Sequence, residues 1–226
     1  SKISQMGNLK AGLKENWQQF SLLVLVNAFV GAMIGLERAV LPGLGKSVFG
    51  LDANSAILSF IMAFGITKAV SNYSVARLSK RFNRKQILMA GWFAALPVPF
   101  LLMYADSWSW VIIANILLGI NQGLAWSSTV IMKVDIVGQK NRGLAMGINE
   151  FAGYLSVGLA SYLASSLAST YGYAYYPFIP GLFFASAGLL VSAFLVKDTT
   201  HFVHAESVTS KIALLKNVWK ETTWKH

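Results

Sequence analysis

Apolar residues gather into six long runs along the chain, separated by short polar or glycine-rich turns, at approximately 20–44, 54–76, 86–105, 109–133, 143–169 and 177–196. A helix needs about 20 mostly apolar residues to cross about 30 Å of hydrocarbon, and each run meets that length. Gly43, Gly45 and Gly50 close the first run, Ser79–Lys85 the second, and Ala105-Asp106-Ser107 the third. Gly138-Gln139-Lys140-Asn141 follows the fourth, and Tyr171-Gly172-Tyr173 with Pro177 separates the fifth from the sixth. The pattern predicts an all-α integral membrane bundle of six spans at 20–196, preceded by a lead at 1–19 and followed by a basic tail at 197–226. The first run is too long for a cleavable signal sequence and carries no small-residue cleavage site after it.

Composition supports this reading. Hydrophobic residues make up 55 % of the 226 and charged residues only 12 %, too few to cover a water-facing surface. Fourteen Phe, eight Tyr and seven Trp exclude a solvated coil, and the absence of Cys excludes thiolate sites and Cys nucleophiles.

The net charge of +10 first suggests either nucleic acid or membrane. If the amino terminus lies inside, 16 of the 19 Lys and Arg fall on the inner side, Lys133, Lys140 and Arg142 among them. Only Lys46 falls outside, with Arg38 and Lys68 inside spans. That asymmetry predicts both termini cytoplasmic. It also removes the nucleic-acid reading, because the basic residues sit in turns beside spans and form no nucleic-acid motif. Trp108, Trp110, Tyr171, Tyr173, Tyr175 and Tyr176 fit an aromatic belt at the outer headgroups. In the tail, Val208, Ile212, Leu215 and Val218 with Lys211 and Lys216 predict an amphipathic helix on the inner leaflet or a docking element.

Residues 76–88 read Ala-Arg-Leu-Ser-Lys-Arg-Phe-Asn-Arg-Lys-Gln-Ile-Leu. This resembles the signature loop of the major facilitator superfamily, G-x-L-a-D-r-x-G-r-k-x-x-l, with Leu78, Arg81, Arg84, Lys85 and Leu88 in place. Ala76 replaces the first Gly, Asn83 the second, and Lys80 the Asp, which reverses a charge belonging to the family's inner gate. Residues 138–147 are similar to the family's basic loop running into a Gly-rich fifth helix. Leu118-Gly119-Ile120-Asn121-Gln122-Gly123 resembles the fourth-helix motif R-x-x-q-G, with Gly119 at the Arg position. The fifth helix reads Ser156-Val157-Gly158-Leu159-Ala160-Ser161, not the G-P-x-x-G-G element of drug antiporters. The resemblance covers most of 18–197 and implies one half, the amino-terminal six helices, of a twelve-helix transporter. A fragment of a longer chain is the favoured expectation, with a half that pairs with a copy of itself or with a separate partner as the other; the tail would begin a central linker.

Charge inside a bilayer is costly and marks functional positions. Glu37 and Arg38 lie in the outer part of span one, Lys68 about eight residues from the inner end of span two, and Glu150 about seven residues into span five. At 1.5 Å per residue Lys68 and Glu150 reach similar depths, so an interhelical pair is expected. Asn121, Gln122 and Asn149 are amides at mid-span that either contact solute or join helices. Asp135 is expected to pair with Arg142 or the 80–85 loop. Gly31, Gly35, Gly143, Gly147, Gly153 and Gly158 are expected to permit close helix approach.

No catalytic constellation, metal set or cofactor motif is found; His201 and His204 stand i, i+3 without a third ligand. The resemblance implies a gradient-driven transporter in the cytoplasmic membrane, expected to move a small polar or charged solute; as intramembrane charges, Glu37 and Glu150 are the candidates for proton coupling and Arg38 for holding an anionic group. The competing expectation is a six-helix scaffold that kept the fold and lost transport, suggested by Lys80 and Gly119.

Overall fold

The computed structural model describes residues 10–223, all of whose long elements are helices. Six are long and apolar enough to cross a membrane: Trp17–Ser47, Asn54–Leu78, Arg84–Met103, Trp108–Val137, Gln139–Tyr171 and Tyr176–Phe194. They match the six expected spans in order, but spans one, four and five run several residues further. A further helix, Thr200–Thr223, follows span six. The side chains of Val208, Ile212, Leu215 and Val218, on which the amphipathic expectation rests, lie outside the described residues, as do positions 1–9 of the lead.

Local chemistry sets the helix ends. The Asp52 carboxylate caps span two by accepting from the Asn54 and Ser55 amides at 3.2 and 3.3 Å. Asn83 caps span three in a reciprocal box: its side chain accepts from the Gln86 amide at 2.8 Å, and Gln86 Oε1 accepts from the Asn83 amide at 3.0 Å. Asn83 therefore fills its motif position as a cap. Asn83→Ala is expected to cost about 1 kcal/mol, read as a lower thermal midpoint in detergent. Pro97, which has no amide proton to donate, divides span three into Arg84–Ala95 and Pro97–Met103. Span four contains a π-helical turn at Gln122–Trp126, a local widening that often accompanies functional positions. It closes at Gly138, whose φ of 72° turns the chain into the basic loop.

Lipid tails are as apolar as the side chains, so helix association rests on close packing and interhelical hydrogen bonds. Spans one and five make the most intimate contact. At Gly31 an added Cβ would fall on the Gly153 backbone, and at Gly35 on that of Val157 and Ser161. Gly119 and Gly123 of span four lie equally close to the span-two backbone at Phe64, Lys68 and Asn72. Gly143, Gly147 and Gly158 have nothing within 4 Å, so the expectation of close approach does not hold for them within this chain; they lie on an open face of span five. Spans two and five are the least enclosed, and Leu58, Ile61, Met62, Ile66, Phe151, Leu155 and Leu159 are exposed along them.

The beginning of span one and the end of span six are neighbours. Gln19 donates to the Leu195 carbonyl at 3.0 Å and accepts from the Lys197 amide at 2.8 Å. The signature loop is tied to the same end. Asp135 Oδ2 accepts from Arg84 Nε at 3.3 Å and from Thr199 Oγ1 at 2.8 Å, and Lys85 Nζ donates to the Ala193 carbonyl at 2.7 Å. Of the two partners expected for Asp135, the loop arginine is the one that meets it. Arg142 Nη2 instead meets Glu206 of the following helix at 3.3 Å, joined there by Gln139 at 3.1 Å. Lys80 and Arg81 are exposed, while Leu78 packs against Val75, Ile87 and Leu124.

Candidate functional site

A polar cluster crosses the bundle between spans one, two, four and five. Lys133 is its innermost member. The sequence pattern placed it among the inner flanking charges, but span four continues to Val137 and buries it at 1 % exposure. Its ammonium donates to Asn149 Oδ1. Asn149 Nδ2 in turn donates to Glu150 Oε1 at 3.1 Å, and the same oxygen accepts from Trp126 Nε1 at 3.2 Å. Asn27, buried in span one, donates to the Asn149 carbonyl at 2.9 Å and accepts from Thr129 Oγ1 at 3.3 Å. Asn27, Thr129 and Trp126 were not singled out from the sequence; an isolated amide or hydroxyl in an apolar run gives little signal there.

Lys68 completes the chain of contacts from span two. Its ammonium lies 5.6 Å from the centre of the Trp126 ring and 5.9 Å from that of Phe64. Lys68 and Glu150 are not within ion-pair distance; Trp126 stands between them, touching one through its ring face and the other through its N–H. Both ion pairs among the described residues, Arg84–Asp135 and Arg142–Glu206, lie at the end of the bundle beside the signature and basic loops.

The mid-span amides join helices. Asn121 donates to the Gly91 carbonyl of span three at 3.0 Å, and Gln122 to the Val30 carbonyl of span one at 2.7 Å. Gln122 Oε1 is buried without a partner among the described residues. The fourth-helix position where the family motif carries Arg is Gly119, and the span-two backbone bearing Lys68 lies directly against it. Arg could not occupy that contact, so the departure is a packing requirement of this pair of helices.

Glu37 sits outside the cluster, on the way to the other end of the bundle. It is 3 % exposed and its Oε1 has no partner among the described residues. It lines a cavity of ≈ 380 Å³ with Arg38, Asn115 and the apolar walls Ile34, Phe60 and Phe64. A carboxyl against such walls can take up and release a proton without dismantling any contact.

A model of the Major Facilitator Superfamily matches residues 20–224. Among solved structures the fold is similar to a peptide transporter in complex with alafosfalin, at a TM-score of 0.69 and 15 % identity, covering 88 % of this chain and 45 % of that one. It is also similar to a D-xylose-proton symporter, at a TM-score of 0.58 and 19 % identity, covering 87 % and 53 %. The chain thus spans about half the length of these structures. No curated protein matches it. With its six apolar helices and the family match over nearly its whole length, the chain is a multi-pass membrane protein that belongs to the major facilitator superfamily.

Proposed function

We propose that the chain is the six-helix half of a gradient-driven secondary transporter that moves a small polar or charged solute by alternating access. The observation that carries this reading is the cluster itself. Lys68, Lys133 and Glu150 are held in the interior of the spans, where ionisable groups are expensive and mark solute or ion pathways. A scaffold would gain stability by losing them. In such folds two halves rock about a site near the midplane. The open apolar faces of spans two and five suit a second six-helix half, from the same chain or another copy. The distribution of Lys and Arg supports both chain ends lying on the cytoplasmic side of the cell membrane.

Lys68, Trp126 and Arg38 face the solute, Glu37 and Glu150 carry the coupling proton, and the buried Asn149 holds Glu150 in place. Arg84, Lys85 and Asp135, with Arg142 and its partner Glu206, close the cytoplasmic end around the signature loop. Asn121 and Gln122 hold the spans that bear the site. The scaffold alternative rested on Lys80 and Gly119; the packing at Gly119 removes the second of these supports. The full-length protein in proteoliposomes is expected to show saturable solute flux. Flux no greater than in protein-free vesicles, across a broad solute panel under imposed proton and sodium gradients, would favour the scaffold.

A further inference from the structure

The charges of the cluster do not balance. Lys68 and Lys133 bring two cations to the cluster and Glu150 is the carboxylate among them, while Glu37 and Arg38 stand together on the neighbouring cavity. Glu150 Oε1 is already engaged by Trp126 and Asn149. Lys133 is enclosed and held by an amide, whereas Lys68 is only half-buried and has no hydrogen-bond or ion-pair partner among the described residues. An ammonium inside a membrane span normally meets a carboxylate or a carbonyl. Lys68 meets two aromatic faces and leaves its N–H donors free.

The surroundings define what fits. Phe64, whose ring lies beside the Lys68 ammonium, also forms a wall of the ≈ 380 Å³ cavity between spans one, two and four. Lys68 stands one helical turn beyond Phe64 along span two, and the cavity is walled mainly by Ile34, Ile57, Phe60, Ile61 and Leu118. A cation just beyond the Phe64 wall of an apolar cavity suits a molecule with an anionic end and an apolar body. Glu37 and Arg38 line another wall side by side and offset one another, which leaves Lys68 as the nearby cation without a counter-charge. A lipid headgroup is a poor source of that charge, because Lys68 lies ten residues, about 15 Å, from the end of its helix at Leu78.

We propose that the solute is an organic anion, carboxylate or phosphate ester, whose charged end is held by Lys68 against Trp126 while its apolar body occupies the cavity beside Phe64. As a statement about transported solute this rests on the transporter reading above. Because Lys68 is partly exposed, its replacement is compatible with folding, and Lys68→Arg keeps the charge as a rescue.

The test is binding to the detergent-solubilised full-length protein, read by intrinsic tryptophan fluorescence and thermal shift. Probes of one shape and different charge are compared: benzoate, phenyl phosphate, benzyl alcohol and benzylamine, with succinate as an anion lacking the apolar ring. Benzoate or phenyl phosphate should bind, and whichever binds tighter names the anionic group. Lys68→Gln should weaken that binding by about tenfold or more, the usual scale for a hydrogen bond to a charged group, with Lys68→Arg restoring most of it. Binding of benzylamine or benzyl alcohol as tight as that of the anions overturns the proposal. So does anion affinity unchanged in Lys68→Gln, or no anion binding at all. Anion binding without any solute flux would sink the transporter reading and leave this site standing. Flux confined to neutral or cationic solutes would do the reverse.

Discussion

Gly31→Leu is expected to destabilise the six-helix domain severely. The first atom of any side chain at position 31 falls on the backbone of Gly153, with the carbonyl carbon at 3.1 Å and the Cα at 3.3 Å. Backbone cannot rotate aside as a flexible side chain can, so spans one and five must separate. Separation stretches the bond from Asn27 to the Asn149 carbonyl at 2.9 Å and that from Ser161 to the Gly35 carbonyl at 3.0 Å. Overpacking costs about 1–3 kcal/mol, and each lost hydrogen bond adds about 0.5–1.5 kcal/mol. The sum is about 2–6 kcal/mol, a large share of the roughly 5–15 kcal/mol that holds a typical domain folded. Gly158→Leu on the open face of span five is the control when the six-helix chain is measured alone, since nothing in it lies within 4 Å of the added Cβ. Size-exclusion profiles and thermal midpoints in detergent should show aggregation or a steep loss for Gly31→Leu and little change for Gly158→Leu. Equal behaviour of the two would contradict the packing account.

The existence and order of the spans were legible because hydrocarbon thickness imposes a length that hydropathy reveals directly. Their ends were less so, and the functional consequence falls on Lys133. A lysine at the close of an apolar run reads as a flanking charge. Only the continuation of the helix to Val137 and the presence of Asn149 opposite turn it into an interior group. Depth was legible for Lys68 and Glu150, since rise per residue is fixed. The direction each side chain takes around its helix axis was not, and Trp126 occupies the space between them. The π-turn at Gln122–Trp126 shifts that direction further, and nothing in the residue pattern announces it. Glycines show a related limit: Gly31, Gly35 and Gly153 meet a neighbouring helix, whereas Gly143, Gly147 and Gly158 face outward, and spacing alone did not separate the two groups. Motif residues with a local role fared better. Asn83 is recognisable as a turn residue from its chemistry, and Arg84 finds Asp135 because both sit at helix ends on one side of the bundle.

The second large effect is expected at the two interior carboxyl groups, which stand in different settings. Glu150 is bound through Oε1 by Trp126 and Asn149, and a glutamine there can accept from both through its own carbonyl oxygen. Glu150→Gln should therefore fold normally while removing a titratable group from the centre of the cluster. Glu37 has a partnerless Oε1 beside an apolar cavity, so Glu37→Gln removes the charge without breaking a contact. If protons drive transport through these groups, loss of the essential one should reduce gradient-driven accumulation by about tenfold or more, on the scale typical of removing a proton-transfer group. Downhill exchange of solute should survive, because the solute contacts at Lys68 and Trp126 are intact.

The most direct measurement is accumulation of the transported solute into proteoliposomes against an imposed pH gradient, comparing wild type, Glu37→Gln and Glu150→Gln with downhill exchange recorded alongside. At least one substitution should abolish accumulation while leaving exchange measurable. Accumulation equal to wild type in both variants would contradict proton coupling through these groups.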